Sequence, residues 1–140
     1  MKFWDASAVV PLVLAESSSL RLRRLARTDP EVIVWWGTEI ECASALARRQ
    51  RDRSVGEAGV RAAFDRLARL ARMWQETEPG DAVREIARRL LRVHPLRAAD
   101  ALQLAAAVLA SGSRPPTLEF VTLDERLATA ARVEGFPVID

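Results

Sequence analysis

The sequence predicts an α/β domain built around a mainly parallel sheet. Short β-branched or aromatic segments alternate with longer segments of helical periodicity along the whole chain. The short segments are apolar without sustained polar alternation, as expected of strands covered on both faces. Two of them run straight into an aspartate, and open sheets of this kind carry their sites beyond the carboxyl ends of strands.

Met1 to Trp4 reads as the first strand, closed by Asp5. Ala6 to Ala15 is predicted helical, with Pro11 tolerated near the first turn or kinking it. Ser17-Ser18-Ser19 offers an N-cap for an arginine-rich helix through Ala26. Asp29-Pro30 is a turn, because the residue before proline avoids helical geometry. Glu31 to Trp36 is the clearest strand, ended by Gly37. Thr38 then caps a helix that carries Glu41 and runs into the basic stretch Arg48 to Arg53.

Ser54-Val55-Gly56-Glu57 has the form of a capping box, which opens a helix with apolar positions Val60, Phe64, Leu67, Leu70, Ala71 and Trp74. Pro79-Gly80 breaks it, and Asp81 caps a helix from Ala82 to Leu91. His94-Pro95 is the next break, before a helix with Asp100 that ends near Ala110. Ser111 to Pro116 is loop, Leu118 to Leu123 a strand, Asp124 to Val133 a helix stopped by Gly135, and Phe136 to Ile139 a last short strand.

At 140 residues the chain has the size of a single domain, residues 1–140. About half of its residues are apolar, and no apolar run approaches the roughly 20 needed to span a bilayer. The start lacks the long apolar stretch of a signal peptide. The single cysteine, Cys42, excludes an internal disulfide and a cysteine-rich zinc site, and reads as a small buried apolar side chain. A cytoplasmic protein is the expectation. All basic side chains but Lys2 are arginine, and the net charge of +2 becomes +6 once four candidate acids are set aside. An acidic pocket on a basic surface suits a polyanion.

Those four acids carry the chemistry. A carboxylate among apolar neighbours is costly to desolvate unless it is paired, hydrogen-bonded or metal-bound. Asp5 follows the first strand and competes with a plain N-cap role. Glu41 sits on a helical stripe with Thr38, Ala45 and Arg48, and competes with a solvated ion pair. Asp100 shares a stripe with Leu96, Gln103, Leu104 and Ala107, so its helix faces it toward apolar surroundings. Asp124 follows Phe120 to Leu123 and competes with an N-cap role. One shared site explains the four together more simply than four coincidences. If the fold gathers them, their mutual repulsion calls for divalent cations, which makes the chain a metal-dependent hydrolase.

The segments Trp4-Asp5-Ala6-Ser7-Ala8-Val9-Val10, Thr38-Glu39-Ile40-Glu41 with Ala45-Leu46, Leu96 to Ala106 around Asp100, and Val121-Thr122-Leu123-Asp124 with Leu127 and Ala131 carry a resemblance. In this order and spacing they resemble a PIN-domain ribonuclease of the VapC type, the toxin half of a type II toxin–antitoxin pair. The resemblance implies a three-layer α/β/α sandwich and an acidic pocket for Mg²⁺ or Mn²⁺, with one or two ions. It places the metal-binding and catalytic acids on Asp5, Glu41, Asp100 and Asp124, with Glu39 competing at the second position. Ser7 and Thr122 match supporting hydroxyls, and Arg97, one helical turn before Asp100, is placed for a phosphate or an acidic partner and competes with a surface salt bridge.

The implied reaction is hydrolysis of RNA by metal-activated water, leaving a 3′-hydroxyl and a 5′-phosphate. The implied partners are RNA, a cognate antitoxin whose basic tail enters the pocket, and a second copy in a homodimer. His94 reads as a structural loop residue, and Trp35 and Trp36 as packing residues. A phospho-receiver domain fails for want of an acid pair and a late lysine; a haloacid-dehalogenase-like phosphatase fails because Ser7 stands where a second aspartate is needed. The remaining rival is a catalytically silent module of the same fold that acts by binding RNA or a partner.

Overall fold

The computed structural model describes residues 1–140. Its strands are β1 (Lys2–Trp4), β2 (Val32–Trp35), β3 (Gln75–Thr77), β4 (Glu119–Val121) and β5 (Val138–Ile139). Its helices are α1 (Ala6–Val13), α2 (Ser19–Thr28), α3 (Thr38–Arg51), α4 (Glu57–Ala71), α5 (Asp81–Val93), α6 (Ala98–Ala110) and α7 (Glu125–Val133), with a 3-10 turn at Pro115–Thr117. The strands form one sheet in the order β3-β2-β1-β4-β5, and every pairing is parallel. The chain leaves β1 toward β2 and β3 on one side, then crosses to β4 and β5 on the other. β1 and β4 therefore flank the topological switch point.

Alternation along the strands assigns each face its own core. Phe3, Ile33, Trp35 and Phe120 face the layer of α5, α6 and α7, where Leu90, Leu104 and Leu127 are fully buried. Trp4, Val32, Val34 and Val121 face the layer of α1 to α4, with Val9, Leu22 and Leu46. Phe3 stacks on Phe120 at 5.4 Å between ring centroids, and Phe136 tilts against Phe120 at 5.7 Å. The result is the three-layer α/β/α sandwich. No helix is long and apolar enough to cross a membrane.

The two ends of the sheet differ in charge. At the amino ends, Lys2 bridges Asp29 and Glu119, and the terminal amine also reaches Asp29. At the carboxyl ends lie Asp5, Glu41, Asp100 and Asp124, and none of the four belongs to an ion pair with a basic side chain. His94 is buried as expected of a structural residue; its Nε2 hydrogen-bonds Glu134 at 2.7 Å, and Arg89 holds the same carboxylate with both of its terminal nitrogens. Gly135, at φ +97°, ends α7 in the left-handed conformation, where Phe136 N donates to Ala131 O.

Several local expectations are corrected. The helix expected to reach Trp74 ends at Ala71, and Gln75–Thr77 forms an edge strand instead. Its side chains carry no strand signal; its register comes from backbone pairing of Ile33 to Trp35 with Gln75 to Thr77. The capping box does not form: Gly56 is the N-cap, while Ser54 N donates to Asp52 Oδ1 at the end of α3. Gly37 and Gly80 hold the N-cap positions expected of Thr38 and Asp81. Ser18 caps α2 in helical rather than extended geometry and makes no side-chain bond, while the Ser19 hydroxyl donates to Leu14 O and accepts from Glu16 N. Trp35 packs as expected, but Trp36 does not, being 51% exposed past the end of β2.

Candidate active site

Asp5 is held by both chain ends of the β1–β4 pair. Its backbone N donates to Val121 O at 3.0 Å, extending the ladder one residue beyond Trp4. Its carboxylate then caps α1, accepting from Ser7 N at 3.2 Å. Ser7 Oγ and Thr122 Oγ1 also donate to Asp5, Thr122 at 2.9 Å, and all three bonds land on Oδ2. Oδ1 accepts nothing from the protein. The same hydroxyls reach the next loop: Ser7 Oγ accepts from Leu123 N at 2.9 Å, and Thr122 Oγ1 from Asp124 N at 3.1 Å. Thus the two strand-end acids are tied through Ser7 and Thr122. Asp124 caps α7, with Oδ1 accepting from Leu127 N at 2.8 Å.

Glu41 reaches the same end of the sheet from the first turns of α3, where its charge also favours the helix dipole. It is tied by a residue to which the sequence reading gave no role. Gln103 on α6 is fully buried and donates from Nε2 to Glu41 Oε1 at 3.1 Å and to Thr38 Oγ1 at 3.0 Å. The signal was a lone amide three residues after Asp100, on one helical face, within a run of alanine and leucine. Asp100 itself is half-buried in the first turn of α6. Glu39 is exposed and shares none of these bonds.

Burial and like charge both disfavour ionisation here. Burial holds the Asp5 carboxyl above the ordinary aspartate range, against the bonds from Ser7 and Thr122, with the Asp100 charge adding to the rise. Burial, then the charge of Asp5, pushes Glu41 up to about 7, while the Gln103 bond opposes this and Asp100 adds to it. Asp100 is raised by burial and then by Asp124, and is eased by the Arg97 backbone and the charges of Arg97 and Arg126. Burial likewise pushes up the Cys42 thiol, which packs at 3.9 Å from Ala6 O in the core.

These shared fields tie Glu41, Asp5, Asp100 and Asp124 into one acidic patch. The donors are all hard carboxylate oxygens, and each acid keeps at least one oxygen free of protein hydrogen bonds, so the set suits a cation of the Mg²⁺ or Mn²⁺ class. The side chains are not drawn into a finished coordination shell: no three His, Cys, Asp or Glu groups stand close enough together to hold an ion as placed.

Comparison with protein families gives a match to the PIN domain over residues 2–133. The chain belongs to the PIN-domain family. A search of curated proteins gives no match. PIN domains are generally nucleases, so the family agrees with the α/β/α sandwich and gives this PIN domain a nuclease-type fold.

Proposed function

We propose that this PIN domain is a metal-dependent endoribonuclease that hydrolyses RNA phosphodiester bonds, and that it is the toxin of a type II toxin–antitoxin pair. The observation that carries the nuclease reading is the acidic patch at the switch point: carboxylates raised by burial and by one another, none of them in an ion pair, on a chain of nuclease fold. In this reading Asp5, Glu41 and Asp100 hold a divalent cation through their free oxygens, and Asp124 completes the site. A bound Mg²⁺ or Mn²⁺ supplies a water of lowered pKa and charge compensation for the phosphate.

The chain's own residues do the positioning. Ser7 and Thr122 fix Asp5 by three bonds to Oδ2, which leaves Oδ1 free to hold a cation. Gln103 holds one oxygen of Glu41 and leaves the other. The toxin role, a cognate antitoxin and a homodimer rest on the sequence motifs and on the arginine-rich surface around an acidic site.

The test uses protein purified free of any bound antitoxin. It cleaves single-stranded RNA with Mn²⁺ or Mg²⁺ and stops on addition of EDTA. Asp100→Asn loses cleavage while its circular dichroism and melting stay those of a folded protein. RNA bound but left intact by the wild type in both metals refutes the nuclease and leaves the silent binding module. Wild-type expression that does not slow bacterial growth refutes the toxin role.

A further inference from the structure

Asp100 and Asp124 share an open cleft of about 640 Å³ with two arginines, Arg97 and Arg126, and with Ala99, Leu123 and Glu125. Arg97 is the N-cap residue of α6, and Arg126 is the second residue of α7. The two arginines therefore come from different helices and line one space. Both act on the charge of Asp100, which places them within its electrostatic reach.

Like most arginines of this chain, neither forms an ion pair, and what sets these two apart is that both line the cleft that holds Asp100 and Asp124. Both stand at the wrong end of their helices, since a cation near a helix N-terminus is disfavoured by the peptide dipoles. Two exposed cations from two helix starts thus line the cleft beside the candidate cation ligands, where a phosphate would meet both.

We infer that Arg97 and Arg126 form a phosphate clamp that holds the RNA backbone beside the bond to be cut. This rests on the endoribonuclease reading above. Guanidinium geometry matches two phosphate oxygens at once. With a cation on Asp100 and Asp124 their charge is cancelled, leaving the arginines to set the sign of the cleft. With Glu125 beside them, the two arginines face three carboxylates, so the empty cleft is formally net negative, and it would favour a polyanion only once a bound cation offset that charge.

The experiment measures binding of a fluorescein-labelled single-stranded oligoribonucleotide by anisotropy, in CaCl₂ and in EDTA, over a range of KCl. Arg97→Gln and Arg126→Gln are each expected to raise Kd about ten-fold and to flatten the slope of log K against log salt by about 0.7. Arg97→Lys and Arg126→Lys restore the slope but not the full affinity. Arg61→Gln, at a paired surface position, changes neither. Melting temperatures of the glutamine variants stay at or above wild type, which a purely structural role would not allow.

Unchanged Kd and slope in both glutamine variants overturn the clamp, even where RNA is still cleaved. Arginine-dependent binding of RNA that is never cleaved keeps the clamp and refutes the nuclease. Loss of poly-L-glutamate binding with RNA binding intact assigns the cleft to an acidic protein partner and overturns the clamp as well.

Discussion

Glu41→Gln should stabilise the protein in the absence of divalent cations, and only at high pH. In the fold the Glu41 carboxyl sits at about 7, against an ordinary 4.5, chiefly through burial and the charge of Asp5. The folded state therefore holds a proton that the unfolded chain has released, and stability falls as pH rises between those two values. The penalty is absent below pH 4.5 and complete above pH 7. Each tenfold change in proton affinity is worth about 1.4 kcal/mol, so the ceiling is about 3 kcal/mol. Glu41 is only partly shielded from water, and screening brings this to about 1–2 kcal/mol. Glutamine keeps the acceptor for Gln103 Nε2 and has no charge to bury. Thermal melts in EDTA should therefore place Glu41→Gln about 3–8 °C above wild type at pH 8. At pH 5 the gain should shrink to less than half of that. Mn²⁺ at pH 8 should raise the wild type more than the variant, because it relieves repulsion that the variant lacks. Glu39→Gln, at an exposed position, should do nothing at either pH. A variant no more stable than wild type at pH 8, or equally stabilised at both pH values, would show that Glu41 carries no buried charge.

Two other substitutions test the supports. Gln103→Leu removes the amide that ties α6 to α3 and leaves Thr38 unpaired; chemical denaturation should show a loss of about 1–3 kcal/mol. If the nuclease reading holds, cleavage by the folded variant falls as well, since Glu41 is no longer oriented. Gly37→Ala puts a methyl 2.6 Å from the Trp35 indole nitrogen, under the start of α3. Its φ of −75° suits alanine, so the cost is space alone. Melting should report about 1–3 kcal/mol of overpacking, with a change in Trp35 fluorescence.

The sequence makes the layered fold legible because most of its elements announce themselves through side chains. Val32 to Trp35 is β-branched and aromatic, and Phe120 and Val121 stand between a proline-rich loop and an aspartate. The edge strand Gln75–Thr77 is not legible, because polar residues there are positioned by backbone bonds to β2 rather than by their own preferences. The caps fail for a related reason. Thr38 and Ser54 are good capping residues, yet Thr38 is recruited by Gln103 across the core and Ser54 by the preceding turn. Local propensity decides only where no tertiary partner competes. For the site, strand-end aspartates are visible from spacing, whereas Gln103 becomes meaningful only once the fold brings α6 from one layer to the start of α3 in the other.

For Asp5 and Asp124, capping and cation binding look like rival explanations in the sequence, and the structure removes the rivalry. A carboxylate has two oxygens, and a cap uses one of them. Asp5 gives Oδ2 to Ser7 N and keeps Oδ1; Asp124 gives Oδ1 to Leu127 N and keeps Oδ2. The cap fixes the side-chain rotamer, so the free oxygen is aimed without further ordering cost. Substitutions that separate the two roles follow directly. Asp124→Ser retains a capping oxygen and should hold stability within about 0.5 kcal/mol, while Asp124→Ala should lose about 1 kcal/mol. Both remove the second oxygen, so both should weaken Mn²⁺ binding by titration calorimetry to a similar degree. Serine restoring Mn²⁺ affinity along with stability would mean that the aspartate acts on the site only through the helix it starts.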